Sequence, residues 1–134
     1  MARRRTIVVW VVVAMVVLAG SAIAAYVYGR YASYESALDT TREWAQLDDF
    51  PASATDIRVE AKGSMFTREF VVTFTAPLDD INAWLDSSPG TAGVTPAADG
   101  AIRKYDIQPG GGAAHAELEV DDAQETVRIR TYWS

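Results

Sequence analysis

The feature that most constrains this chain is an uncharged run of 22 residues at positions 7–28, which directly follows Thr6 and the basic residues Arg3, Arg4 and Arg5. As an α-helix the run would be about 33 Å long, and the hydrocarbon core of a bilayer is about 30 Å thick. The apolar part of a secretory signal peptide is shorter, at about 7–15 residues. The length therefore predicts a transmembrane helix at residues 7–28 that contacts the lipid bilayer.

A cleaved signal is the competing interpretation of the same run. Residues 22–24 read Ala-Ile-Ala, a small-x-small pattern that signal peptidase accepts, with cleavage after about Ala24. The apolar run continues past that point, however, and Tyr26, Tyr28 and Tyr31 stand where an interfacial belt of aromatic rings would lie. These features favour a retained signal anchor, and cleavage stays open as the alternative.

The distribution of positive charge predicts the orientation of this single-pass anchor. Three arginines precede the run, whereas Arg30 is the nearest basic residue behind it. Positive residues are retained on the cytoplasmic side, so residues 1–6 are expected in the cytoplasm and the C-terminal domain outside the plasma membrane. Both interpretations of the run deliver the domain to that side. One Asn and two Lys among abundant Ala, Val, Asp and Arg are typical of a GC-rich bacterial genome.

The rest of the chain is acidic and has no cysteine. Residues 31–134 carry eight basic and eighteen acidic side chains, which gives a net charge of −10. Such a domain does not neutralise a phosphate backbone and is repelled by anionic headgroups, so nucleic acid is not an expected partner. The absence of cysteine excludes disulfides, thiol catalysis and a cysteine-based zinc site. About 100 residues can fold on a hydrophobic core alone.

A juxtamembrane helix is predicted at residues 29–50. Its apolar stripe follows helical steps of three and four residues, at Tyr31, Tyr34, Leu38, Thr41, Trp44 and Leu47. The membrane helix either continues into this segment or breaks near Gly29 and restarts. The end is expected at Phe50, because the residue before Pro51 avoids the α region. Packing on the domain is favoured over a dimerising or partner-binding helix, because the stripe is too short for a coiled coil.

Two strands follow in the predicted domain, residues 51–134. Residues 57–61 alternate apolar and charged side chains, as a half-buried strand does. After a turn at residues 63–64, residues 65–76 place Phe66, Phe70, Val72 and Phe74 on one face. Arg68 falls on that apolar face and is expected to mark the entry of the strand or a bulge.

A short helix is predicted next, from Pro77 to about Asp86. Proline is tolerated at the first helical position, and Asp79 and Asp80 complement the helix dipole in the first turn. Residues 87–100 are rich in Ser, Pro, Gly and Thr, which indicates a loop.

Three strands are predicted in the last third of the chain, and the final two form a hairpin with a defined register. Their sequences are IRKYDI, AAHAELEV and TVRIRTYW. If Glu119 lies opposite Arg128, then Glu117 lies opposite Arg130 and His115 opposite Tyr132, while Leu118 meets Ile129 and Val120 meets Val127 on the other face. Opposite charges and aliphatic pairs then match throughout. The predicted fold is α+β, with an antiparallel sheet of about five strands in the order β-β-α-β-β-β. Trp84 and Trp133 are expected in its core.

No motif predicts a catalytic residue, a cofactor site or a metal site. His115 is the only histidine and lacks a nucleophile signature, so we expect it to pair across the sheet with an aromatic ring or a carboxylate. Residues 110–112 are three glycines between strands, which favours a hairpin loop over a phosphate cradle. Acidic pairs at residues 79–80 and 121–122 fit helix-dipole and turn roles, with weak calcium binding as the alternative.

The candidate binding face comprises His115, Arg128, Arg130 and Tyr132, which the hairpin register places together. An ordinary solvated sheet face is the competing interpretation. The functional hypothesis is a non-catalytic extracytoplasmic module of the bacterial cell envelope that binds another membrane or envelope protein. The alternatives are an envelope-polymer hydrolase with Asp or Glu carboxylates, and an immunity- or inhibitor-type protein whose acidic surface covers a basic partner.

Overall fold

The computed structural model describes residues 2–134. Its elements are the helices α1 (Ala2–Ala45) and α2 (Leu78–Ser87) and the strands β1 (Thr55–Gly63), β2 (Arg68–Thr75), β3 (Ala97–Asp99), β4 (Ile102–Ile107), β5 (His115–Asp121) and β6 (Thr126–Trp133). The chain divides into two compact units, residues 1–35 and residues 36–134. The fold is α+β, as predicted.

The first unit is the N-terminal part of α1. Its large apolar side chains are exposed, among them Ile7, Trp10, Leu18 and Ile23. Within residues 2–134, α1 is the one helix long and apolar enough to cross a membrane. A helix near the N-terminus that meets these criteria can also belong to a signal sequence.

The helix α1 is continuous through Gly29 and ends at Ala45, so the prediction of its end at Phe50 is wrong. The chain turns at Gln46, which has a positive φ of 51°. The backbone N–H of Leu47 donates to the carbonyl of Arg42 at 2.8 Å, and that of Gln46 to the carbonyl of Glu43 at 3.3 Å. These bonds satisfy the last carbonyls of the helix in the manner of a Schellman motif, which terminates α1 before Pro51 has an effect.

Six antiparallel strands form one sheet in the order β1-β2-β6-β5-β4-β3. The prediction of about five strands missed β3, which lies within the segment predicted as a loop. It pairs with β4 through Ala97–Lys104 and Asp99–Ile102. The three residues of β3 are small or polar and all exposed. Its sequence therefore lacks the alternation of apolar and polar residues that would predict a strand.

The hairpin between β1 and β2 differs from its prediction at the turn. Arg68 is the first residue of β2, in agreement with the expected strand entry. Phe66 precedes the strand and is 75% exposed, so its predicted position on the apolar face is wrong. The Ser64 N–H donates to the Thr67 carbonyl at 3.0 Å, and this turn projects Met65 and Phe66 outward.

The core of the second unit lies between one face of the sheet and two helical segments, the end of α1 and α2. The fully buried side chains on this core face include Val72, Phe74, Leu118, Val120, Val127 and Ile129. Trp44 in the last turn of α1 packs on Phe70 with ring centroids 5.6 Å apart. Trp84 of α2 packs edge-on against Phe74 at 5.4 Å. The end of α1 and α2 therefore cover the same face of the sheet.

The two tryptophans predicted in the core have different environments. Trp84 is buried, and its indole N–H donates to the Asp48 carbonyl at 3.1 Å. Trp133 is 44% exposed, so the prediction of its burial is wrong. It is the last residue of β6 and lies opposite Arg68, the first residue of β2, where the sheet ends.

Candidate binding face

The hairpin of β5 and β6 has the predicted register. Glu117 pairs with Arg130, Glu119 with Arg128 and His115 with Tyr132, while Leu118 pairs with Ile129 on the core face. Because side chains alternate along a strand, the four residues of the candidate binding face share the side of the sheet that faces away from α2 and the end of α1. We call this side the open face.

Arg130 joins carboxylates from the two strands that flank β6. Its Nε donates to Glu69 Oε1 of β2 at 2.6 Å, and its Nη1 donates to Glu117 Oε1 of β5 at 3.4 Å. Directly opposite Arg130 on β2 lies Val71, which is buried on this otherwise polar face. A long aliphatic stem beneath a guanidinium head covers such an apolar neighbour well.

The charges of this cluster stabilise one another. The hydrogen bond from Arg130 lowers the pKa of Glu69 below its ordinary value. Partial burial raises the pKa of Glu117, but hydrogen bonds from His115 and Arg130 outweigh it, so the net shift is downward. The hydrogen bond to Glu69 raises the pKa of Arg130. Both carboxylates and the guanidinium are therefore ionised at neutral pH.

His115 and Tyr132 form the aromatic part of the open face. Their rings stack with centroids 5.1 Å apart and an interplanar angle of 28°. His115 Nε2 lies 3.2 Å from Glu117 Oε2, so the histidine has both an aromatic and a carboxylate neighbour. The Arg130 guanidinium carbon lies 5.2 Å from the centre of the Tyr132 ring, which is within cation–π distance.

Arg128 extends the open face toward the other end of β6. It is exposed and lies between Thr73 of β2 and Glu119 of β5. Glu119 also pairs with Lys104 of β4, at 3.6 Å. The open face therefore brings together all four predicted residues, with Arg128 separated from the aromatic stack by Arg130.

Sequence reasoning missed the neighbours of these residues on β2 and β4. Glu69 and Val71 come from β2, and Lys104 and Asp106 come from β4, where the last two help to line a shallow depression of about 240 Å³ beside His115. The alternation of charge with Tyr105 and Ile107 along β4 was a usable signal. No local pattern in the sequence indicated that β2 lies next to β6, because that pairing follows from the tertiary topology.

A larger open depression of about 1060 Å³ lies on the helical side of the second unit. Apolar residues line it at Phe50, Pro51 and Trp84, together with the carboxylates Asp48, Asp49 and Asp80. Asp80 Oδ2 accepts a hydrogen bond from Ser53 Oγ at 2.6 Å, and Asp49 pairs with Arg42. No pattern in the sequence indicated this depression, since its lining comes from a loop and from α2.

The glycines at residues 110–112 and the acidic pair at residues 121–122 lie in or next to the loops and turns between strands. Gly111 and Gly112, with φ of 61° and 83°, lie in the loop between β4 and β5, as predicted. Gly110 donates its N–H to the Trp44 carbonyl at 2.9 Å. Asp121 accepts two backbone N–H groups of the β5–β6 turn. Within residues 2–134 no group of three or more His, Asp or Glu side chains is arranged to hold a metal ion.

No family model, curated protein or solved structure matches this chain.

Proposed function

We propose that this protein is a single-pass protein of a bacterial plasma membrane whose second unit is a non-catalytic binding module outside the cytoplasm. The open face contacts another membrane or envelope protein through His115, Arg128, Arg130 and Tyr132. Residues 7–28 hold the module at the bilayer and residues 1–6 lie in the cytoplasm. The anchor raises the effective concentration of the module toward partners in the same membrane.

The observation that supports this proposal is the ordered cluster around Arg130. Arginine and tyrosine dominate the binding energy of many protein interfaces. Here the guanidinium is fixed by Glu69 and Glu117, and the Tyr132 ring is supported by His115. Side chains that are already ordered lose less entropy when a partner binds.

The charges of the open face favour a protein partner. Positive and negative side chains alternate across neighbouring strands, with Arg128 beside Glu119 and Arg130 between Glu69 and Glu117. An interface of mixed sign gives specificity for a complementary mixed surface. A polyanion or an anionic bilayer would meet repulsion from the carboxylates.

The hydrolase alternative receives no support from the carboxylates of this cluster. A general acid requires a raised pKa, whereas the pKa values of Glu69 and Glu117 are lowered by Arg130 and its neighbours. Both groups act as fixed negative charges that position the arginine.

Co-purification from detergent-solubilised membranes tests the binding face. We expect Tyr132→Ala and Arg130→Ala each to reduce partner recovery about tenfold or more, because hot-spot truncations commonly remove about 2 kcal/mol. Gln124→Ala, in the exposed β5–β6 turn, is the matched control and should bind as wild type. Unchanged recovery in both open-face variants, with folding verified by circular dichroism, would contradict the proposed face.

The orientation has a separate test. With an epitope tag at the C-terminus, protease added to intact cells (to spheroplasts where an outer membrane is present) should remove the tag, because the positive-inside rule places the second unit outside. A tag that survives while other exposed proteins are digested would contradict the orientation. The mass of the mature N-terminus distinguishes a retained anchor from cleavage after about Ala24.

A further inference from the structure

The sheet has two edges of very different length. The edge strand β3 has three residues, whereas the edge strand β1 has nine, most of them exposed. Among residues 2–134 no strand pairs with the outer side of β1. A long edge strand is a template for pairing with another chain unless its sequence opposes this.

The sequence of β1 is complementary to itself in antiparallel orientation. Its charged side chains alternate in sign, as Asp56, Arg58, Glu60 and Lys62, and apolar residues separate them. The contact between Arg58 Nε and Asp56 Oδ1 at 3.1 Å, and that between Lys62 Nζ and Glu60 Oε1 at 3.4 Å, keep these charges on one side. A two-fold pairing centred on Val59 would set Arg58 opposite Glu60 of a second copy, and Asp56 opposite its Lys62.

Pairings centred on neighbouring residues of β1 match fewer opposite charges. Residues directly opposite each other in an antiparallel pair point to the same face, so a two-fold axis perpendicular to the sheet must pass through a residue that is paired with itself. An axis at Arg58 or Glu60 opposes like charges, which is destabilising. An axis at Ala61 retains the complementary Glu60–Lys62 pairs but leaves Arg58 without a carboxylate opposite it. The axis at Val59 alone matches all four charges.

We propose that two copies of this chain associate through β1, in an antiparallel pair centred on Val59, to form a continuous sheet of twelve strands. A β-bulge between Thr55 and Arg58 interrupts the regular pairing of β1 with β2. Asp56 therefore contributes to the interface through its charge more than through ladder hydrogen bonds. This interface does not depend on the proposed role of the open face.

The turn that follows β1 supplies a second contact. Met65 and Phe66 are 90% and 75% exposed, which is unusual for large apolar side chains outside a membrane segment. In this register Gly63 lies opposite Thr55 of the second copy, so the turn after β1 comes next to the segment that precedes β1 there. Residues 51–53 of that segment line the depression of about 1060 Å³. The two-fold axis makes this contact twice.

Charge also favours this placement of the turn. The depression carries three carboxylates, at Asp48, Asp49 and Asp80. Arg68, the first residue of β2, places a cation directly after the turn. An apolar tip with a basic margin thus meets an apolar depression with an acidic margin, and the pairing is complementary in both properties.

Charge reversal in the full-length chain tests the strand pairing. The mass of the protein in detergent micelles, measured by light scattering over a concentration series, gives the dimer dissociation constant. We expect Arg58→Glu and Glu60→Arg each to weaken dimerisation about tenfold, since each places two pairs of like charges in opposition. The double variant Arg58→Glu/Glu60→Arg should restore the wild-type constant.

Two results would overturn the proposed dimer, and a third would overturn its register. One is a wild-type chain that remains monomeric over the whole concentration series. The other is a dimer whose dissociation constant is the same in all four proteins, because that dimer forms through α1 or another surface. A dimer weakened by the single variants but not restored by the double variant would also contradict the register at Val59.

Disulfide cross-linking tests the register independently, because the chain has no cysteine. Opposite residues in an antiparallel pair have Cα atoms about 4.5–5.5 Å apart, which a disulfide can bridge. Val59→Cys should form a cross-linked dimer on mild oxidation. Thr73→Cys, one strand further in on β2, is the matched control. Cross-linking of Ala61→Cys in preference to Val59→Cys would overturn the register.

The contact made by the turn is tested by Phe66→Ser, which leaves β1 unchanged and should weaken the dimer.

Discussion

The two faces of the sheet are built from the same strands and have opposite character. On the core face Val72, Leu118 and Ile129 are fully buried beneath helices that contribute Trp44 and Trp84. On the open face the same strands carry Glu69, Arg130, Glu117 and Tyr132, linked by ion pairs and ring contacts.

The difference shows which face of the sheet supplies most of the folding energy. Burial of a large aliphatic or aromatic side chain contributes about 1.5–3 kcal/mol, whereas an exposed ion pair contributes about 0.2–1 kcal/mol. The core face can therefore hold the fold together without the open face. The ordered cluster around Arg130 has little to add to stability, and this supports a role in recognition.

The largest change in the free energy of unfolding is expected from a substitution at Phe74, on the core face. It is 1% exposed and contacts Phe50 at 5.2 Å and Trp84 at 5.4 Å between ring centroids. Phe74→Ala should lower the free energy of unfolding by about 3–5 kcal/mol, because it leaves a cavity among these rings. Chemical denaturation measures the change. Thr73→Ala, the adjacent residue on the open face, should change it by less than about 1 kcal/mol, and equal effects would break the distinction between the faces.

A smaller effect of the opposite sign is expected at Thr131. This residue is fully buried on the core face, and its hydroxyl has no hydrogen-bond partner among residues 2–134. Valine has nearly the same shape without the buried polar group, so Thr131→Val should raise the free energy of unfolding by about 1 kcal/mol. A loss of stability of that size would show that the hydroxyl is satisfied in solution.

The smallest effect is expected on the open face, at Arg130, and it depends on pH. The pKa values of Glu69 and Glu117 are lowered in the folded protein, so their contribution is present above the unfolded value of about 4.3 and is lost as the pH falls through the folded values. Arg130→Met should reduce stability by about 1 kcal/mol or less at pH 7.

Denaturation at pH 7 and at a series of lower pH values measures this dependence. The difference between wild type and Arg130→Met should be larger at pH 7 and should shrink in acid, where both carboxylates become protonated. A difference that is independent of pH would contradict the ion-pair arrangement.

The sequence predicted the elements whose pattern is local and regular. The β5–β6 register follows from alternation of charge and aliphatic residues, and the candidate binding face follows from that register. The helix α2 begins at Leu78, with Pro77 as its N-cap and Asp79 and Asp80 in its first turn. This is one residue after the predicted start.

The predictions that were wrong or missing concern positions whose structure depends on tertiary contacts. Gln46 takes a left-handed conformation that usually selects glycine or asparagine, so the end of α1 had no local signal. Phe66 resembles a core residue by period and is instead exposed in a turn. The contact between Arg130 and Glu69 joins residues 61 positions apart, and only the placement of β6 between β2 and β5 creates it.

Site-specific photo-cross-linking in living cells tests the central claim, that the open face is the binding surface. A photoreactive phenylalanine analogue is placed at Tyr132 or Arg128 on the open face, and at Gln124 in the β5–β6 turn as the control. We expect the same partner adduct from Tyr132 and Arg128, and no such adduct from Gln124. No adduct from either open-face position, or equal adducts from all three, would contradict it.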